Sequence, residues 1–100
     1  MKKHLYIVYE TDAWHTVSSR TLMGIFSSKR TAINSIVKYH DNSLKDILSD
    51  VDTHGMTIKQ MKREAGQILR KELEAINQTQ GYSVNYVIEI CSQNEWLCNL

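Results

Sequence analysis

Two hydrophobic periodicities meet in residues 24–33, Gly-Ile-Phe-Ser-Ser-Lys-Arg-Thr-Ala-Ile. The apolar spacing before the serines predicts a strand over about residues 21–27, and the spacing after them predicts a helix. We expect Ser27 or Ser28 to cap that helix, because a serine oxygen accepts a hydrogen bond from an otherwise unpaired amide of the first turn. Gly24 lies inside the strand, where glycine often marks a bulge or a close backbone approach. The stretch therefore predicts a strand followed directly by a helix.

The segment before this junction predicts another strand at residues 4–10, His-Leu-Tyr-Ile-Val-Tyr-Glu. It is rich in β-branched and aromatic residues, and apolar side chains alternate onto both of its faces. A strand with two apolar faces is expected at the centre of a sheet, with its second face covered, and a partner subunit is one candidate cover. Residues 11–20 predict a long hairpin loop to the strand at about 21–27.

Three helices and one strand are predicted after the junction. The first helix carries one apolar stripe, and the second begins at Ser43 and ends before Gly55, a residue suited to the left-handed cap. The third begins with a Thr57 and Gln60 capping signature and continues for about twenty residues to near Gln78. The stripe of the first helix contains Ile33, Ile36, Val37 and His40. The apolar positions of the second helix are Leu44, Ile47, Leu48 and Val51. Those of the third helix are Ile58, Met61, Ala65, Ile68, Leu69, Leu73 and Ile76. Residues 86–91 predict the last strand, and Trp96 and Leu97 a final turn.

This order predicts an α+β fold with the topology β-β-α-α-α-β, as a single domain over residues 1–100. A long helical crossover between the second and third strands favours a last strand parallel to the second and antiparallel to the first. The expected architecture has two layers, in which the helices pack on a three-stranded, mainly antiparallel sheet of order 2-1-3.

Charge and cysteine content exclude several classes of protein. The 100 residues carry twelve Lys and Arg against eleven Asp and Glu, a net charge of +1, which is not the composition of an obligate polyanion binder. Cys91 and Cys98 form neither a disulfide framework nor a CxxC motif. No apolar run is long enough for a signal peptide or a membrane span, so the sequence predicts a cytoplasmic protein with no membrane partner.

No known catalytic or cofactor motif is present. The four His and two Cys are scattered singly, the four glycines are isolated, and paired serines before a helix are explained by capping. The sequence therefore predicts no catalytic residue, no metal and no cofactor, and hence not an enzyme. One alternative is a small enzyme whose residues Glu10, Asp12 and His15 converge only in space.

Candidate contact residues fall into three groups. Trp14 and His15 lie in the polar loop after the first strand, where Trp14 either anchors an interface or folds over the sheet edge. Basic residues on one side of the third helix are suited either to phosphate contacts or to a solvated mixed-charge face: Lys59, Arg63 and Arg70. Glu72 lies within the apolar arc of that helix, so its carboxylate reaches water at the arc's edge or pairs across an interface.

Three short patterns resemble a group of small proteins: Leu-Tyr-Ile-Val-Tyr-Glu-Thr-Asp-Ala-Trp-His at residues 5–15, Gly-Ile-Phe-Ser-Ser at 24–28 and Asn-Tyr-Val-Ile-Glu at 85–89. The group consists of uncharacterised proteins from prophages and mobile elements of Bacteroides-type gut bacteria. The resemblance spans most of the chain and implies a strand-turn-helix layout and a phage-like origin. It supplies no catalytic residue.

We therefore expect a non-catalytic cytoplasmic accessory domain that acts through protein contacts with itself or another protein. Self-association as a homodimer, through a sheet face or the third helix, is the leading hypothesis. The alternative is a small nucleic-acid-binding module that uses the basic side of the third helix.

Overall fold

The structure, a computed structural model, describes residues 4–92 and has the predicted α+β architecture. In chain order the elements are β1 (His4–Thr11), a 3₁₀ helix (Val17–Ser19), β2 (Thr21–Phe26), α1 (Lys29–Tyr39), α2 (Leu44–Ile47), α3 (Ile58–Ile76) and β3 (Asn85–Ser92). The predicted topology β-β-α-α-α-β is therefore confirmed. The predicted turn at Trp96 and Leu97 lies outside the described residues.

The strands form one sheet of order β2-β1-β3, in which β1 pairs antiparallel with both neighbours. The central position predicted for the first strand is thus confirmed. Val8 pairs with Gly24 and Tyr9 pairs with Leu22, so Met23 is an extra residue that forms a β-bulge. A Cβ atom on Gly24 would lie 2.9 Å from the Phe26 ring, closer than a side chain allows. Gly24 therefore lies beside a bulge, as one interpretation expected, whereas its close neighbour is the Phe26 side chain and not the backbone of another segment.

Local capping fixes the start of each helix where the sequence predicted it. The hydroxyls of Ser28, Ser43 and Thr57 accept hydrogen bonds from backbone amides of the first turns of α1, α2 and α3. At Thr57 the capping box is complete, because the Gln60 side chain also accepts from the Thr57 amide. Gly55 has φ +80°, the left-handed conformation expected of it.

Two groups of buried side chains hold the helices against the sheet. The first joins α1 and the C-terminal half of α3 to the sheet through Val8, Ala32, Ile33, Ile36, Leu73, Tyr86 and Ile88. The second joins α2 and the first half of α3 to the turn before β3 through Ile47, Leu48, Ala65, Leu69 and Tyr82. Because α3 contributes to both groups, it links the helical layer from end to end.

The elements differ from the predictions at their ends. Helix α2 has four residues, and the chain turns at Leu48 instead of continuing helically to Val51. Helix α3 ends at Ile76, because Asn77 takes a left-handed cap conformation with φ 61°. Ile58 and Ile76, the first and last residues of α3, belong to its predicted apolar arc but are at least half exposed. These ends extend past the layers that bury the middle of the helix.

The segment after α3 covers part of the outer edge of β3. Gln78 forms an isolated antiparallel bridge with Val87, and the Thr79 amide donates to the Tyr86 carbonyl at 3.0 Å. The Ile88 amide donates to the Asn77 carbonyl at 2.7 Å. One edge of the sheet is therefore partly satisfied by the chain itself. Within residues 4–92, no helix is both long enough and apolar enough to cross a membrane.

Candidate interaction surfaces

The loop between β1 and β2 is organised by Asp12. Its Oδ1 accepts from the backbone amides of Trp14 and Thr16, and its Oδ2 accepts from the Thr16 hydroxyl at 2.9 Å. These bonds, led by the one from the Thr16 amide, hold the pKa of Asp12 below its ordinary value. The loop projects Trp14 into solvent, with 81 % of its surface exposed. Of the two positions expected for Trp14, the structure has the exposed one.

His15 lies beside Trp14 but points back to the protein. Its Nε2 is 2.6 Å from the Thr79 carbonyl oxygen, and its φ of 56° is left-handed. Glu10 lies on the helix-covered face of the sheet, with its Oε2 3.4 Å from the Tyr86 hydroxyl. The His15 amide donates to the Asp12 carbonyl at 3.2 Å, but no side-chain hydrogen bond joins Glu10, Asp12 and His15 to one another in the described part of the chain. Each is engaged by a different partner, so the described geometry gives no support to a catalytic group formed from these three residues.

Glu72 has a partner within its own chain. The Tyr82 hydroxyl donates to Glu72 Oε2 at 2.8 Å, and Tyr82 is almost fully buried. Burial, followed by the hydrogen bond to Glu72, raises the pKa of Tyr82 well above its ordinary value. The carboxylate thus anchors the turn before β3 to helix α3. Neither of the two positions considered for Glu72, in water or across an interface, included this intramolecular contact.

The outer edge of β2 is an open, apolar surface of the described structure. Among the elements within residues 4–92, β2 pairs with β1 alone, so its other edge has no strand beside it. Leu22, Met23 and Ile25 are each 51–52 % exposed along this strand. We call these three residues and the unpaired backbone beside them the β2 edge. None of these residues was among the contact residues expected from the sequence. The signal for such an edge is a strand at the side of the sheet with no charged residue, here from Thr21 to Ser28.

The charges that flank β2 have partners elsewhere in the chain. Arg20 lies over the Tyr9 ring, 5.2 Å from its centroid, and its Nη2 is 3.0 Å from Glu89 Oε1. This pair crosses the sheet face opposite the helices. Beyond β2, Lys29 Nζ donates to the Glu74 carbonyl of α3 at 3.2 Å. The β2 edge is therefore left without a charged residue of its own.

A small apolar cavity opens between β2 and α1. Its volume is about 360 Å³, and its walls include Met23 and Tyr39 near the surface and Val8, Ile36 and Tyr86 deeper in the fold. The Tyr86 hydroxyl accepts from the Asp41 amide at 2.8 Å, and burial raises the pKa of Tyr86 to about 12. The hydroxyl is thus a neutral structural group, and the cavity extends the apolar surface inward from the β2 edge.

The basic residues predicted on α3 are on its side toward α1. A Cβ atom on Gly66 would lie 3.2 Å from Val37 Cγ1, which marks where the two helices touch. Arg70 donates to Asn34 Oδ1 of α1, whereas Lys59 and Arg63 are exposed. Two further lysines that the sequence analysis did not single out, Lys38 and Lys62, line one cavity between the same helices. Their proximity depends on the packing of α1 against α3, which the pattern of either helix alone does not specify.

The described residues offer no evident metal-binding cluster. Within positions 4–92, no three His, Cys, Asp or Glu side chains lie together in a way that could hold an ion. Cys91 is a free, partly buried thiol on β3.

The chain matches no protein-family model, no curated protein and no solved structure. The surfaces described above therefore carry the functional argument.

Proposed function

We propose that the protein is a non-catalytic interaction domain that self-associates by pairing the β2 edge with that of a second copy. The observation that carries this proposal is the unpaired, uncharged strand β2 with three half-exposed apolar side chains. Exposed strand edges offer unpaired amides and carbonyls, and proteins normally protect them with charge, proline or a covering segment. In the described structure, β3 has such a covering segment and β2 does not.

A second copy is suited to the β2 edge because the strand is compatible with itself. Antiparallel pairing across a twofold axis places the same strand on both sides of the interface. Thr21–Phe26 contains no charged residue, so the pairing opposes no like charges. The sheet would grow from three strands to six, which lies within the common range.

Ile25 is expected at the centre of this interface. The bulge at Met23 increases the local twist, so the regular stretch from Gly24 to Phe26 is better suited to pairing. A twofold axis at Ile25 places this residue opposite its copy, with Cβ atoms about 5 Å apart. Two lysines at that distance repel each other, whereas a lysine and a glutamate attract.

The test is the mass of the protein in solution, measured by analytical ultracentrifugation across a concentration series. We expect the wild type to be a dimer and Ile25→Lys to be a monomer. The matched control is Ile90→Lys, because Ile90 is 46 % exposed on β3 and the substitution adds the same charge. We expect Ile90→Lys to remain dimeric.

A charge-swap experiment separates loss of pairing from loss of folding. Ile25→Lys and Ile25→Glu should each be monomeric with an unchanged circular dichroism spectrum, and an equimolar mixture should recover the dimer. A wild type that stays monomeric at the highest concentration contradicts the proposal. A dimer that survives Ile25→Lys, or that Ile90→Lys disrupts instead, also contradicts it. The accessory role, the cytoplasmic location and the mobile-element origin remain predictions from the sequence.

A further inference from the structure

We propose that the protein also binds nucleic acid, through the phosphate backbone, in the groove between α1 and α3. We define the basic groove by Lys38 of α1 and by four residues of α3, Lys59, Lys62, Arg63 and Arg70. It lies on the helical layer, apart from the β2 edge, so this site is independent of self-association.

Helix geometry places the α3 cations on one side. At about 100° per residue and with Leu69 at zero, Lys62, Lys59, Arg70 and Arg63 lie at about 20°, 80°, 100° and 120°. Gly66, which touches α1, lies at about 60° on the same scale. The cations therefore lie on either side of the line of contact between the helices and border the groove along about 16 Å of α3.

Helix α1 runs antiparallel to α3 and adds polar groups to the other wall. Lys29 contacts Glu74, Asn34 contacts Arg70 and Val37 faces Gly66, so the helices stay in contact along their length. Lys38 then lines the same cavity as Lys62. The Lys38 ammonium also lies 5.2 Å from the Tyr39 ring centroid, a contact that leaves its charge unneutralised.

The acidic residues of α3 are mostly segregated from this side. Glu72 and Glu64 lie at about −60° and −140° on the same scale, away from Gly66, and Glu72 accepts from the Tyr82 hydroxyl. Glu74 is in the last turn, at about 140°, and closes one end of the groove. Within residues 4–92, the one ion pair joins Arg20 to Glu89, so none of the groove cations is neutralised by a carboxylate of the described chain. On the same scale Lys71 lies at about −160°, beside Glu64, so α3 has a mainly basic side along the groove and mixed charge on the rest of its surface.

A cavity at one end of the groove has the lining of an anion site. Its volume is about 320 Å³, and Lys38, Lys62, His40 and Asn42 lie in its wall. Asn42 is only 8 % exposed. Its Oδ1 accepts a hydrogen bond from the Val84 amide. Its Nδ2 is buried and has no hydrogen-bond partner in the described structure. Buried amides normally donate to an acceptor. A phosphate in this cavity would be held by the Lys38 and Lys62 ammonium groups, because Asn42 Nδ2 has almost no accessible surface and is reached only after the Asn42 side chain rotates.

The form of the groove favours nucleic acid over other anions. Cations distributed along a helix match a linear polymer with a charge on every residue better than a single small anion. Asn34 contacts Arg70 within the groove, and asparagine side chains donate to phosphate and sugar oxygens. A surface for anionic lipid would be expected to carry exposed apolar residues between its cations, which this side of α3 lacks between Lys59 and Arg70.

The test is fluorescence anisotropy of the full chain with a labelled DNA duplex and a labelled single-stranded RNA. With four to five phosphate contacts, the logarithm of the association constant should fall with the logarithm of salt concentration with a slope of about −4 for duplex DNA. We expect Lys62→Glu to weaken binding at least tenfold. Lys45→Glu on α2 is the matched control, because it changes the net charge equally outside the groove, and should change affinity less than twofold.

Three results would overturn the proposal. They are an absence of binding to both nucleic acids at low salt, equal losses for Lys62→Glu and Lys45→Glu, and binding that does not depend on salt. Poly-glutamate and vesicles containing phosphatidylserine are the competing probes. Tighter binding of either than of nucleic acid would assign the groove to an acidic protein or a membrane surface instead. Repeating the titration with Ile25→Lys separates this site from self-association.

Discussion

At the scale of single residues, the contact between Tyr82 and Glu72 is the strongest polar link between α3 and the turn before β3. A buried hydrogen bond to a charged group contributes about 1.5–3 kcal/mol, and partial exposure of Glu72 reduces this. We expect Tyr82→Phe to lower the free energy of unfolding by about 1–2 kcal/mol, measured by urea denaturation. Tyr39→Phe is the control, because Tyr39 is 67 % exposed, and should have almost no effect. Equal effects of the two substitutions would contradict this role.

His40 gives a pH dependence whose sign follows from its burial. Burial lowers the pKa of His40 below 6.5, and the nearby Asn42 backbone and the charge of Asp41 oppose this less strongly. As the pH falls below 6.5, His40 is protonated in the unfolded chain before it is protonated in the folded protein. The free energy of unfolding therefore decreases as the pH falls toward and through the pKa of folded His40. The stabilising contribution is complete above the unfolded value.

The measurement is urea denaturation of the wild type and His40→Gln at about pH 7.5 and pH 5.5. We expect the wild type to lose more stability on acidification than the variant, since glutamine does not titrate. His54→Gln is the control, because His54 is an exposed loop residue, and it should keep the wild-type slope. If the pH dependence of stability disappears in His54→Gln and persists in His40→Gln, the prediction that His40 causes it is wrong.

Residue-level predictions from sequence were best where the partner is close in the chain. Ser28 and the Thr57–Gln60 pair bond to amides within three residues, so the pattern alone specified the Thr57–Gln60 pair and limited the cap of α1 to Ser27 or Ser28. Glu72 was expected either in water or paired across an interface, and its contact with Tyr82 is neither. Tyr82 could not be named, because it reaches Glu72 only after α3 ends at Asn77 and the chain reverses direction.

At the scale of elements, the capping box at Thr57 fixes the start of the helix that links both buried clusters. Replacing a threonine cap by alanine costs about 1 kcal/mol, because an amide of the first turn loses its acceptor. We expect Thr57→Ala to lower the free energy of unfolding by about this amount in urea denaturation. Ser49→Ala is the control, since Ser49 is exposed in the turn after α2. Unchanged stability of Thr57→Ala would show that the cap is dispensable.

Element lengths and helix pairing were harder to predict than element starts. The spacing of Leu44, Ile47, Leu48 and Val51 suits a helix, yet α2 stops after one turn. Tertiary packing decides here, because Leu48 is buried against α3 after the chain has turned. The meeting of Lys38 and Lys62 depends in the same way on the antiparallel packing of α1 and α3. Such contacts between distant segments are not encoded in a local period.

At the scale of the whole molecule, the sheet order followed from a rule about connections. The helical crossover between β2 and β3 left β1 in the centre, as expected. The same rule implies that β2 and β3 lie at the two edges of the sheet. It does not say which of the two edge strands is left without a neighbouring segment. That difference arises because Asn77–Thr79 pairs with β3, a consequence of where α3 ends.

Pairing of the β2 edges makes thermal stability depend on protein concentration. A dimer that dissociates on unfolding has a midpoint that rises with concentration by mass action. For two chains of this size, the midpoint should rise by about 3 °C for each tenfold increase, measured by scanning calorimetry or circular dichroism. Ile25→Lys should give the same midpoint at every concentration, whereas Ile90→Lys should keep the wild-type dependence. A concentration-independent wild-type midpoint, with reversible unfolding, would mean that the edge of β2 is left unpaired in solution.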